Sequence, residues 1–175
     1  MINKLIPIII LLFSTYPGDA EARIGETIEQ CINRYGAPIR RTKSTDDQEE
    51  ILFKKDTFSI RADFFRGVCD SISYTKLKKQ PFWSNEEEHL HLSNGEIGLL
   101  MEANSNGKQW SSISRSYIWY QTADYDLEAR YWNDLRLLSI SSKKSRTRSL
   151  DDAYKYSERQ RSNAIDKAKT QMIGF

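Results

Sequence analysis

The chain has 175 residues, 39% of them apolar and 29% charged, with a mean hydropathy of −0.64. That is about one domain's worth of sequence. Its 11% aromatic content argues against wholesale disorder, and only 8 Gly and 4 Pro exclude a collagen-like or Pro-rich stalk. A net charge of +2 does not mark a nucleic-acid-binding protein, and a single long apolar run excludes a multi-span membrane protein.

That apolar run lies at the start. Lys4, the stretch Leu5 to Phe13, the Pro17-Gly18 break and Ala20-Glu21-Ala22 form the three-part layout of a secretory signal over residues 1–22, with cleavage expected after Ala22. The run is too short to cross a hydrocarbon core of about 30 Å, which needs roughly 20 residues. No transmembrane anchor is therefore expected after cleavage, and no Cys near the junction offers a lipidation site. The expected mature chain carries 25 basic and 22 acidic side chains. Secretion or a periplasmic location is a further reason to expect no nucleic acid as a partner.

The first unit is read over 23–80. Ile28, Cys31, Ile32 and Tyr35 recur at one face of a helix, which Gly36 stops, with Pro38 beyond it. Ile51-Leu52-Phe53 and Thr57 to Phe65 read as strands; Phe58, Ile60, Ala62 and Phe64 share one side of the second. A turn at Arg66-Gly67 leads to Ser71-Ile72-Ser73. Cys31 and Cys69 are a candidate disulfide in an oxidising compartment, the alternative being two buried thiols. A bridge closing this loop would stabilise by roughly 4 kcal/mol. A two-residue turn sets Phe64 opposite Cys69 and points Cys69 toward the helix. A three-residue loop sets Ile60 opposite Ile72 and turns Cys69 away. The sequence supports both.

The same order returns over 81–142. Gly95-Glu96 opens a second helix carrying Ile97, Leu100, Met101 and Asn104, with Ser93 and Glu96 as a capping box and Asn106-Gly107 as its end. Ile118-Trp119-Tyr120 and Asp124 to Trp132 read as strands, with Tyr125, Leu127, Ala129 and Tyr131 on one side. A turn at Asn133-Asp134 and Ser139-Ile140-Ser141 complete the match. Recurrence in one order points to a duplication. The expected fold is α+β: two tandem helix-plus-antiparallel-meander repeats. A basic, Ser-rich linker at 143–149 (Lys143, Lys144, Arg146, Arg148) and a polar C-terminal helix at 150–175, begun by Ser149, follow.

The stretch Gly25 to Pro38, G-E-T-I-E-Q-C-I-N-R-Y-G-A-P, resembles the G-x-T-x(8)-G-x-P opening of a bacterial envelope module. That module occurs in the small lipoprotein of the outer-membrane barrel assembly machine, and the β-lactamase inhibitory proteins repeat a similar unit in tandem. Gly25, Thr27, Gly36 and Pro38 carry the resemblance, which covers these fourteen residues by motif and the rest by element order. This chain lacks the lipidation Cys and has Ser105 where the second unit would match Gly36. The resemblance implies an α+β envelope fold used for protein binding, with no catalytic residues to carry over.

Few residues point to chemistry. His89 and His91, with Glu87 nearby, have the spacing of a two-His metal grip on a strand, but no third strong ligand is placed beside them. Asp46-Asp47 suits a polar turn and Asp151-Asp152 a first helical turn, and adjacent carboxylates do not flank a bond. There is no G-x-S-x-G, phosphate-cradling glycine loop or H-E-x-x-H, so neither an enzyme nor a cofactor is expected. The outward residues of the long strands, Arg61, Asp63 and Phe65 with Glu128, Arg130 and Trp132, set charges around two aromatics as protein-binding surfaces do. The expected partner is another protein of the cell envelope or exterior.

Overall fold

The computed structural model describes residues 24–79, 88–114 and 118–173, with side chains of the last helix described to residue 164; the signal-type segment lies outside the described residues. Element order is α1 (Ile28–Tyr35), β1 (Arg40–Lys43), β2 (Gln48–Lys55), β3 (Phe58–Phe65), β4 (Val68–Leu77) and β5 (His89–Leu90). Then come α2 (Asn94–Asn104), β6 (Trp110–Ser112), β7 (Trp119–Thr122), β8 (Leu127–Trp132), β9 (Leu137–Ser142) and α3 (Lys143–Ile173). The fold is mixed α+β. All strands join one antiparallel sheet in the order β1-β2-β3-β4-β9-β8-β7-β6, with β5 added to β4. β4 and β9 meet at the centre, where Ile72 faces Ile140.

Period-two alternation makes one face of this sheet apolar. Ile51, Phe53, Ile60, Ala62, Phe64, Ile72, Leu127, Ala129, Leu138 and Ile140 are buried there, beneath α1 and α2. Both helices start with capping boxes, Thr27 with Gln30 and Ser93 with Glu96, each satisfying backbone N–H groups left open by the first turn. Each then lowers its buried side chains onto the sheet: Cys31 and Tyr35 from α1, Ile97, Leu100, Met101 and Asn104 from α2. Inside, the Asn104 amide donates to the Tyr74 hydroxyl (3.0 Å) and the Leu100 carbonyl (2.8 Å), while the Tyr35 and Tyr74 hydroxyls lie 3.3 Å apart. This network ties both helices to β4.

The β3–β4 hairpin takes the two-residue turn and then adds a bulge, so Ile60 pairs with Tyr74 and Ile72 with Ala62, not with each other as the three-residue loop would have it. Arg66 (φ 51°) and Gly67 (φ 78°) form a two-residue turn with both φ positive, and Phe64 pairs with Cys69. The register then shifts between Asp63 and Phe64, so Asp63 pairs with Ser71 and Asp70 is extra. Cys69 and Ile72 therefore both face the core, which a regular strand forbids. Cys69 and Cys31 are neighbours at zero exposure, but the expected disulfide is not formed. Each thiol has an acceptor of its own: the Glu26 carboxylate lies 3.9 Å from Cys31 Sγ and the Ser71 carbonyl 3.5 Å from Cys69 Sγ. Hydrogen bonding with Cys31, together with burial, pushes the Cys69 thiol well above its ordinary range.

Three other expectations change. Residues 143–149 are not a linker: α3 starts at Lys143, directly after β9, and Ser149 lies inside it. Tyr125 does not face the core. It sits at φ 60° in the β7–β8 turn, 62% exposed, because Asp124 Oδ1 accepts from the Thr122 hydroxyl and the Asp126 amide and closes the turn around it. The β8–β9 connection is a four-residue loop, since Trp132 pairs with Leu137.

Candidate functional site

The face away from α1 and α2 carries the residues singled out in the sequence. Because neighbouring strands keep register, they form two unbroken rows. One reads Thr42, Glu50, Asp63, Ser71, Ser141, Glu128 and Gln121. The other, two residues along each strand, reads Arg40, Leu52, Arg61, Ser73, Ser139, Arg130 and Trp119. Acids thus line one row and bases the next, with four serines at the centre.

Pairing runs between the rows. Glu50 lies 3.1 Å from Arg40 and 4.0 Å from Arg61, and Glu128 lies 2.6 Å from Arg130. The Arg130 guanidinium also sits 4.2 Å over the Trp119 ring. Burial raises the Asp63 pKa, and the nearby Glu50 charge adds to this while Arg61 opposes it.

The six residues do not form one patch. Arg61 and Asp63 on β3 share their two rows with Arg130 and Glu128 on β8, but the serines of β4 and β9 stand between the two pairs. Phe65 and Trp132 end β3 and β8, which run in opposite directions, so they lie beyond opposite rows. Three row steps of two residues separate them by roughly 20 Å along the strands. Their surroundings differ as well. Phe65 is half-buried, with the Arg148 guanidinium 3.9 Å and the Arg66 guanidinium 5.1 Å from its ring centre. Trp132 is 47% exposed.

The difference comes from α3, which starts at Lys143 and not at the expected residue 150. Its first two turns lie over the serine centre. Arg146 donates to the carbonyls of Ser141 (2.9 Å) and Tyr125 (3.0 Å) and lies 3.7 Å from Glu128. Arg148 pairs with Asp70, the extra residue of the bulge, and burial lowers its pKa. A signal for this helix was present: no Gly or Pro interrupts residues 143–173. Two clefts flank it. One of about 250 Å³ is lined by Glu50, Asp63, Phe65, Asp70 and Arg148; another of about 370 Å³ by Glu128, Arg130, Trp132, Ser139 and Arg146.

Elsewhere, a groove of about 780 Å³ runs between α2 and the β6–β7 edge, lined by Ile97, Met101, Trp110, Ile118 and Tyr120. The histidines are not brought into a grip. β5 ends at Leu90, and His91 Nδ1 lies 3.3 Å from the Tyr131 hydroxyl. Glu87 lies outside the described residues. Among the described residues no three His, Cys, Asp or Glu side chains converge as metal ligands, and no helix is long and apolar enough to cross a membrane.

No protein-family model matches the chain, and no curated protein matches it. Among solved structures, an extracellular protein containing an SCP domain from Bacillus anthracis is similar over 83% of this chain and 51% of that one, with a TM-score of 0.44 at 9% identity. A cysteine-rich secretory protein from Staphylococcus aureus is similar over 73% and 50%, with a TM-score of 0.39 at 14% identity. This chain thus spans about half the length of the solved chains it resembles.

Proposed function

We propose that this is a secreted or periplasmic, non-catalytic protein-binding module that docks another envelope or exterior protein on the outward face of its sheet. The observation that carries the reading is the division of labour between the two faces. α1 and α2 cover one face with a buried apolar core, and the other carries ordered rows of opposite charge with an exposed Trp132 beyond the basic row. Charge rows of this kind steer and register a partner, and an exposed aromatic supplies the anchor. The Lys4, Leu5 to Phe13 and Ala20-Glu21-Ala22 pattern supports export.

The module is read as two fused helix-plus-meander units, in keeping with the envelope-module resemblance of Gly25 to Pro38. The mirrored strand order, a helix preceding each half, and Ile72 facing Ile140 at the centre support this. The immobilised protein, exposed to envelope extract, tests the docking face. Trp132→Ala is expected to reduce the retained partner about tenfold, and Phe65→Ala less, because Arg148 already covers that ring. Undiminished retention by Trp132→Ala removes this face as the docking surface.

A further inference from the structure

We propose that the first two turns of α3 are a releasable strap over the outward face, and that the Phe65 end of that face opens to a partner only when Arg146 and Arg148 let go. The inference rests on the docking role of that face and adds its control.

α3 is attached unlike the other two helices. α1 and α2 are fixed by side chains inserted into the core. From residue 143 to 164, only Ser145, Arg146 and Arg148 of α3 are half-buried, and every other side chain is exposed. The seven residues from Lys143 to Ser149 contain no apolar side chain, so no hydrophobic burial holds them. Polar contacts hold them instead: Arg146 on two carbonyls and Glu128, Arg148 on Asp70 and the Phe65 ring, and the Ser145 amide on the Ser142 hydroxyl (3.1 Å). Below the helix lie Ser71 and Ser141, whose small side chains let it approach without interlocking.

Such a seat has two consequences. It is worth little free energy against local opening, and its ionic part weakens as salt screens it. Opening costs the core nothing, because none of the core side chains belongs to α3. It uncovers Phe65, Asp70 and the Ser71–Ser141 centre and joins the two flanking clefts into one surface. The strap therefore competes with whatever docks there.

Amide hydrogen exchange of the whole chain tests this without a partner. The amides of Thr147 to Asp152 bond within the helix and report its attachment. In R146A/R148A they are expected to exchange about tenfold faster, as they are in the unaltered protein when salt is raised to roughly 1 M, while β3, β4, β8 and β9 amides keep their rates. K144A/K155A, at exposed positions of the same helix, is expected to change nothing. Exchange at 147–152 within about twofold of the unaltered protein in R146A/R148A overturns the strap, as does equal acceleration of the sheet amides. Failure here leaves the docking face standing, whereas retention undiminished by Trp132→Ala removes the docking face and leaves the attachment of α3 untouched.

Discussion

Ile72 and Ile140 face each other at zero exposure on one side of the sheet, while Ser71, Ser73, Ser139 and Ser141, each one residue away, form the centre of the other. The same two strands therefore serve a buried apolar core and a polar floor, separated only by the alternation of side chains along the chain. On the core side, identity matters because the side chains are buried against one another. On the outer side, residues are fixed by register and charge; Ser73 and Glu128 are themselves buried there, while Arg61 and Trp132 stay exposed.

The contrast is broken most directly on β9. Ile140→Ala is expected to cost about 2–5 kcal/mol in urea unfolding, whereas Ser139→Ala stays within about 0.5 kcal/mol. Equal costs would show that the outer centre is part of the core. Asn104→Ala comes next, at about 1–3 kcal/mol, because it removes the donor to Tyr74 and Leu100 that links α2 to β4. Ser93→Ala should cost about 1 kcal/mol by uncapping α2.

The smallest effects sharpen the comparison through pH. On the outer face, burial raises the Asp63 pKa, so its contribution to stability is fully present below the unfolded carboxylate pKa and is lost as pH rises through the folded one. Asp63→Asn is therefore expected to raise Tm slightly at neutral pH, by less than about 1 kcal/mol in stability, with the gain vanishing under acid conditions. Glu96 at the start of α2 behaves oppositely. The Lys76 hydrogen bond, aided by the Ser93 amide, lowers its pKa, so its stabilisation is present above the unfolded pKa and lost as pH falls through the folded one. Glu96→Gln is expected to lower Tm at neutral pH and to converge with the unaltered protein in acid. Calorimetry across pH 3 to 8 checks both signs.

Much of this division was legible in the sequence, because periodicity reports burial. The buried positions of α1 and α2, the capping box at Ser93, the inward set Ile60, Ala62 and Phe64, and the outward alternation through Arg61, Asp63 and Phe65 follow from local pattern alone. What escaped depends on features that period-two reading does not contain. The Asp70 bulge reconciles Cys69 with Ile72 by adding one residue to one strand, which no alternation shows. Two thiols can be neighbours and still each find another acceptor, so spacing did not settle their bonding. The opposite placement of Phe65 and Trp132 follows from strand direction across the β4–β9 junction, a long-range fact. The start of α3 is hidden because a run of Ser, Lys and Arg reads as a solvated linker, although it holds no helix breaker. Its arginines are ordered by Asp70, Glu128 and Phe65, residues that only the folded sheet brings within reach.

The separation of folding from docking is tested most directly by one triple variant, R61A/R130A/W132A, assayed beside the unaltered protein for urea unfolding and for retention of a partner from envelope extract. Stability within about 1 kcal/mol of the unaltered protein, together with loss of the retained partner, is the expected result. Undiminished retention by the folded variant, or its failure to fold, would contradict it.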